Sequence, residues 1–228
     1  MGGGAALAVT TYASYVVIAW CRYGRPRSVD HAQRSDVYLD RLMPIYDIVE
    51  RHRTQIAAPA ELTFSVARSL HLRRSRLINV IFKARELVLG GDSEEDGNEM
   101  GLADQAKAWG WGVLAEEPGH EIVFGAVTQP WVANPVFRAL TPTEFLSFHE
   151  PGYVKIAWTL RADSLDATNS VAVTETRVAT TDPTSRAKFR QYWSFVSPGV
   201  ILIRRLALRL VRVEAERLAI PIILKVES

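Results

Sequence analysis

Cysteine is almost missing from this chain. Cys21 is the single one in 228 residues, so neither an intrachain disulfide framework nor a multi-cysteine zinc site can form. Strong charge is missing too. The 27 basic and 25 acidic residues leave a formal charge of +2, which is too small to imply a nucleic-acid binder. Catalytic signatures are absent: there is no P-loop, no G-x-G-x-x-G fingerprint, no G-x-S-x-G elbow and no H-E-x-x-H. The five histidines, His31, His52, His71, His120 and His149, stand apart without metal-ligand spacing. Acidic residues crowd one stretch, Asp92, Glu94, Glu95, Asp96 and Glu99, but not in the order of an EF-hand. Gly90 to Asp104 therefore reads as a solvated loop. No metal and no cofactor is expected.

What the chain does have is apolar residues, 48% of the total, enough for a core. Its length suits one domain of ordinary size with an appendage. The appendage is N-terminal. Ala5 to Cys21 carries no charge, and its 17 residues would rise roughly 25 Å as a helix, slightly short of a ~30 Å hydrocarbon layer. Tyr12, Tyr15, Trp20 and Tyr23 suit the water boundary, and Arg22, Arg25 and Arg27 follow at once. A cleaved secretory signal would want a basic leader, which is missing, and N-myristoylation would want Ser or Thr where Ala6 stands. Residues 1–23 are therefore expected to form a single-pass membrane anchor, 24–39 a linker, and 40–228 a folded domain on the cytoplasmic side.

Within that domain the hydrophobic period changes along the chain. Tyr46 to Ala58 reads as a strand with Tyr46, Ile48, Glu50, His52, Thr54 and Ile56 on one side. Pro59 opens a helix through Leu62, Val66 and Leu70, and Ser75 to Leu89 forms a second, ended by Gly90-Gly91. Strands follow at Trp109–Glu116, Glu121–Thr128, Trp131–Leu140, Tyr153–Arg161 and Val171–Thr180, with a helical turn from Thr141 to Phe148. Asp182-Pro183 then caps a long helix. Its apolar stripe is Phe189, Trp193, Val196, Val200, Ile203, Ala207, Leu210 and Val213, with a kink or short break at Ser197-Pro198-Gly199. Short turns between strands and helices grouped at the ends define an α+β fold.

The element order resembles the START-like superfamily, the polyketide cyclase, dehydrase and lipid-transport group (SRPBCC type). Local likeness sits in Ile56-Ala57-Ala58-Pro59-Ala60-Glu61, in Gly110-Trp111-Gly112-Val113, in the strand Tyr153 to Leu160, and in the long helix that begins Asp182-Pro183. The resemblance implies a helix-grip, a curved antiparallel sheet around a long C-terminal helix. It also implies a cavity between them for a lipid, polyketide or other apolar molecule. The superfamily shares no catalytic set, so no catalytic residue carries over.

Trp111, Phe124, Trp158 and Trp193 come from different elements and are the expected lining. Glu175 and Arg177 lie two apart on a strand and share a face. Facing inward they would anchor a ligand head group. Facing outward they are ordinary charge partners, the arrangement favoured because charges seldom enter cores unpaired. His52 and Glu50 pose the same question. The lead expectation is a membrane-tethered domain that binds a lipid or other hydrophobic small molecule. A cyclase- or hydrolase-type enzyme in the same cavity is the first alternative, and a membrane-bound scaffold without ligand the second. Pro198 to Leu218, with Arg204, Arg205, Arg209 and Arg212, also reads as a basic amphipathic helix whose arginines face water or an anionic membrane.

Overall fold

The computed structural model describes Ser14 and residues 27–28, 36–71 and 100–226, with 27–28 and 221–226 given by backbone alone. The elements are β1 (Arg27–Ser28), α1 (Val37–Leu42), β2 (Ile45–Tyr46), β3 (Ile48–Ile56), α2 (Ala60–Arg68), α3 (Leu102–Ala108), β4 (Gly112–Glu117), β5 (Glu121–Thr128), α4 (Pro142–Ser147), β6 (Val154–Ser164), β7 (Ser170–Thr180) and α5 (Pro183–Val226). The five longer strands form one antiparallel sheet in the order β3-β7-β6-β5-β4. The long C-terminal helix lies across one face of it, at β3 and β7. This is the α+β arrangement of a helix-grip.

Strand alternation gives the sheet two faces with different covers. On the helix-facing side, Ile56 and Ala172 pack with Val66 and Ala67 of α2 and with Leu208, Val211, Ala215 and Ala219 of α5. Ile48, Val154 and Val178 pack with Phe189 and Trp193 nearer the start of α5. On the back face, Leu39 and Leu42 of α1, Tyr46, and Phe145 of α4 cover Leu114, Val123 and Ala157. β5 is buried on both sides along its whole length. Its Gly125 packs closely, since a Cβ there would meet Leu114 Cδ1 at 2.2 Å and force that side chain to move. Thr141 and Glu144 close a capping box at the start of α4. At the start of α5, the Asp182 carboxylate accepts the N–H groups of Thr184 and Ser185 at 2.8 and 2.9 Å. It also accepts the Gly152 N–H at 2.7 Å, which ties the helix to the turn before β6. The Ser185 hydroxyl and these N–H groups hold the acid well below the usual carboxylate range.

Several expectations change. Folded structure begins before Asp40: the Asp36 carboxylate accepts the Leu39 N–H at 2.9 Å and starts α1, which buries Leu39 and Leu42. β1 also falls within the stretch expected as a linker. Trp131–Leu140 is not a strand but touches the sheet through a single bridge, Val127 to Arg138, because Pro130 and Pro135 cannot donate to a ladder. The strand expected from Trp109 starts at Gly112, after α3, whose first residues were expected as loop. A bend at Asp47 puts Tyr46 on the back face, away from Ile48. α5 runs through Ser197-Pro198-Gly199 without interruption. Its buried stripe is Phe189, Trp193, Ser197, Leu208, Val211, Ala215 and Ala219, so the expected stripe holds at its start, whereas Leu210 and Val213 are exposed. The expected stripe advanced about 3.4 residues per step, less than the 3.6 of a helical turn, so it drifted off the contact line. Apart from Ser14, the expected anchor at 1–23 lies outside the described residues, as does the second helix at 75–89. Among the described residues no helix is long and apolar enough to cross a membrane.

Under α1, Glu121 and Asp36 form a buried acidic pair, 3% and 1% exposed. Glu121 accepts the Thr159 hydroxyl at 2.7 Å, and Arg161 stands 3.5 Å from Asp36. Burial first, then the Asp36 carboxyl, push Glu121 up to about 8 from its ordinary 4.5. The folded state thus holds a proton that the unfolded chain releases at lower pH. This contribution to stability is complete below pH ~4.5 and is lost as pH rises through about 8. Chemical denaturation at pH 6 and pH 9 is expected to show a loss of roughly 1–3 kcal/mol at the higher pH. Glu121→Gln should flatten that slope; an equal slope in both proteins would remove the pair as its source.

Candidate functional site

Aromatic rings and a polar cluster meet on the helix-facing side of the sheet. Phe124 of β5 and Trp158 of β6 are cross-strand partners, stacked with centroids 4.6 Å apart. Trp158 meets Trp111 edge-on at 5.9 Å, and Trp111 stacks on Phe137 at 4.9 Å. Gly110 sets this corner. Its φ of +86° turns the chain from α3 toward β4, and a Cβ would strike the Phe137 carbonyl oxygen at 2.2 Å. Phe124 is fully buried, but Trp158 is only half-buried although β6 lies in the middle of the sheet.

Beside this wall lie the polar groups. Glu50 and His52 of β3 pair with Thr176 and Thr174 of β7, and Thr176 in turn pairs with Trp158. Arg204 of α5 reaches down onto the same spot. Its Nη1 donates to the Thr174 hydroxyl at 2.9 Å, and its Nη2 donates to Thr176. The Arg204 Nε is buried and has no hydrogen-bond partner among the described residues. Burial pulls the guanidinium down to about 10, so it keeps its charge at neutral pH. His52 Nε2 stands 3.8 Å from Glu50 Oε2, beyond hydrogen-bond reach, and also lacks a hydrogen-bond partner among the described residues. Burial and the positive charge of Arg204 lower the His52 pKa despite Glu50, leaving a neutral imidazole. Among the described residues no group of three metal-ligating side chains forms.

Trp111, Phe124, Trp158 and His52 therefore share one neighbourhood. Trp193 lies on the same side but farther along, 5.8 Å from Phe189 and packed with Ile48 and Val178. Glu175 and Arg177 do not join them. They alternate with Thr174 and Thr176 along β7, so they point to the back face. There they are neither cavity-lining nor solvent-facing but 1% exposed. Arg177 donates to Glu175 at 2.7 Å, to Asp40 at 2.6 Å and to the Met43 carbonyl at 3.1 Å, and it lies 4.9 Å from the Tyr46 ring centre. Arg51 pairs with the other Glu175 oxygen. Burial opposes the Arg177 charge, but the Glu175 and Asp40 carboxylates outweigh it and its pKa rises. The outward assignment failed because α1, inside the stretch expected as a linker, supplies both cover and Asp40.

Arg204 is the residue that sequence reasoning placed with the solvent-facing arginines. The signal was available: stepping Trp193, Ser197, Val200, Arg204, Leu208, Val211 keeps helical phase and puts an arginine on the sheet side.

No family model and no curated protein matches the chain. Solved structures overlap it loosely. A hypothetical protein of Helicobacter pylori is 6% identical with a TM-score of 0.37, covering 83% of this chain and 99% of its own. The Zhui aromatase/cyclase of Streptomyces sp. R1128 is 17% identical with a TM-score of 0.25, covering 75% and 94%. The di-domain ARO/CYC BexL of the BE-7585A biosynthetic pathway is 15% identical with a TM-score of 0.26, covering 72% and 45%. Likeness at this level transfers neither site nor substrate.

Because Arg177 sits on the face opposite the aromatic wall, stability and binding should separate there. Arg177→Met leaves the buried Glu175 and the half-buried Asp40 without their shared cation and is expected to cost about 3–5 kcal/mol in guanidinium unfolding. Any molecule that the wild-type site holds should bind folded protein of this variant with the same affinity, as titration calorimetry would measure.

Proposed function

We propose that this is a START-like domain that binds a hydrophobic small molecule between its sheet and its long helix. The observation that carries the reading is a half-buried Trp158 at the centre of the sheet, between stacked apolar rings on one side and, on the other, an Arg204 whose Nε has no hydrogen-bond partner among the described residues. A solid core would bury the indole and satisfy the guanidinium. Element order supports the superfamily assignment: strand, helix, antiparallel strands, long C-terminal helix. Transfer of apolar ligand surface out of water would drive association, at about 25 cal/mol per Å² before association costs. Mass spectrometry of natively purified protein should detect a co-purifying apolar molecule. Trp158→Ala should weaken its retention about tenfold, ~1.4 kcal/mol. Repeated purification without any bound molecule, together with no lipid binding, would leave a scaffold domain instead.

The pair His52–Glu50 supports a second reading, an enzyme of cyclase or hydrolase kind in the same place. A neutral imidazole near a carboxylate can move a proton. On that reading His52→Asn would retain a molecule of different mass from the one held by wild type, because substrate would accumulate. Identical masses would return the site to simple binding.

We also propose a membrane tether at residues 1–23 with the domain on the cytoplasmic side. Its support is the uncharged run Ala5 to Cys21 and the arginines that follow it. Deletion of residues 1–23 should move the protein from the membrane fraction to the soluble one; the same distribution for both forms would dismiss the anchor.

A further inference from the structure

α5 spends only one side on the sheet and on α2, at Leu208, Val211, Ala215 and Ala219. On the other side stand Leu202, Leu206, Arg209, Val213, Glu216 and Ile220, in steps of four, three, four, three and four. Leu202 is 40% exposed, Val213 58% and Ile220 59%, while Leu206 is half-buried. Steps of four and three are the seven-residue repeat by which two helices pack knob into hole. Two charges interrupt this seam, one of each sign. Arg209 is exposed and makes no hydrogen bond or ion pair among the described residues. Glu216 uses Oε1 for the Arg212 Nε at 2.9 Å and the Ala57 N–H at 3.2 Å; its Oε2 accepts no hydrogen bond among the described residues. Of the nearby cations, Arg212 and Arg217 are matched within the helix by Glu216 and Glu214, and Arg205 stands exposed at the edge of the seam.

These two charges select the occupant. An anionic bilayer would set Glu216 against like charge, and a wholly apolar partner would bury both charges without a match. A second copy lying parallel and in register would stack Arg209 on Arg209 and Glu216 on Glu216. A second copy lying antiparallel does neither. Centred at the level of Val211, it sets Leu202 on Ile220, Leu206 on Glu216 and Arg209 on Val213, each pair twice by the two-fold axis. Arg209 then lies one layer, roughly 4.5 Å along the axis, from Glu216 of the second copy. We propose that the outer face of α5 pairs antiparallel with a second copy of this chain, joined by four apolar positions per copy and two exchanged Arg209–Glu216 ion pairs. The pairing uses the side of α5 turned away from the aromatic wall, so it does not depend on the ligand reading.

The test is the protein mass of the full chain in mild detergent, followed by light scattering across a concentration series. Wild type is expected to reach twice the chain mass. Arg209→Glu and Val213→Glu should each weaken the dimer roughly tenfold or more, and Arg209→Glu with Glu216→Arg should return the dissociation constant to within about threefold of wild type. A wild type that stays monomeric at every concentration, or a dimer that ignores both single variants, overturns the proposal. So does a monomeric wild type that binds anionic vesicles and loses them on Arg209→Glu, which would give the face to a membrane. Should Glu216→Arg not fold, since Glu216 also holds the Ala57 N–H, cross-linking decides. In a Cys21→Ser background, a short bismaleimide should join Val213→Cys chains and not Ile220→Cys chains. Antiparallel pairing sets the first pair roughly 6 Å apart along the axis and the second roughly 27 Å. Joining at both positions means a parallel pair, joining at neither means no pair, and either result sinks the assignment.

Discussion

β7 is covered on both faces, and its two-residue period governs what each face can do. Thr174 and Thr176 point to the long helix, and Glu175 and Arg177 point to the N-terminal helix. A shift of register by one residue would exchange these sets, placing two full charges under Arg204 and two hydroxyls under Asp40. The shift would bring the Arg177 guanidinium to the side of Arg204 and take it away from Asp40. The pairing of β7 with β3 over nine residues and with β6 over eleven is therefore an electrostatic constraint as well as a hydrogen-bonding one.

The two arginines on either side of this strand show how the same side chain serves opposite ends. Arg177 is held by Glu175, Asp40, the Met43 carbonyl and the Tyr46 ring, which together engage all three of its nitrogens and fasten α1 to the sheet. A fork so completed has little left to offer a ligand. Arg204 is anchored by two hydroxyls that orient it without cancelling its charge, with the Glu50 carboxylate acting on it through space. The difference lies in the residue types opposite each arginine, since both guanidinium groups are removed from water.

Much of the sheet was legible in the sequence, because Glu121–Thr128, Val154–Ser164 and Ser170–Thr180 alternate or run apolar between clear turn signals. The long helix was legible from Asp182-Pro183 onward. The face of that helix was harder to read, since Phe189 to Val213 can be joined by steps of three and four without keeping true helical phase. Of the candidate site, Phe124, Trp158, Trp111 and His52 were named from strand parity, ring content and the cavity that the resemblance implies. Arg204 could not be separated from Arg205 and Arg209 while charge was taken as a sign of exposure. α1 was hidden for a related reason: six residues, Val37–Leu42, carry too few apolar positions to show a period, and only Asp36 announces the helix.

This concealment bears on how the two faces are coupled. α1 is short and cannot hold its own conformation; an isolated helix of six residues is far below the length at which propensity suffices. It stays helical because Leu39 and Leu42 pack on the back face and because its Asp36 and Asp40 meet Arg161 and Arg177. The same strands that receive those contacts, β6 and β7, carry Trp158, Thr174 and Thr176 on their other side. Loosening α1 would free Arg177 and Glu175 within a strand whose alternate residues seat Arg204. The hydroxyl platform beneath that guanidinium thus shares its strand with those ion pairs, while strand parity keeps the two sets on opposite faces.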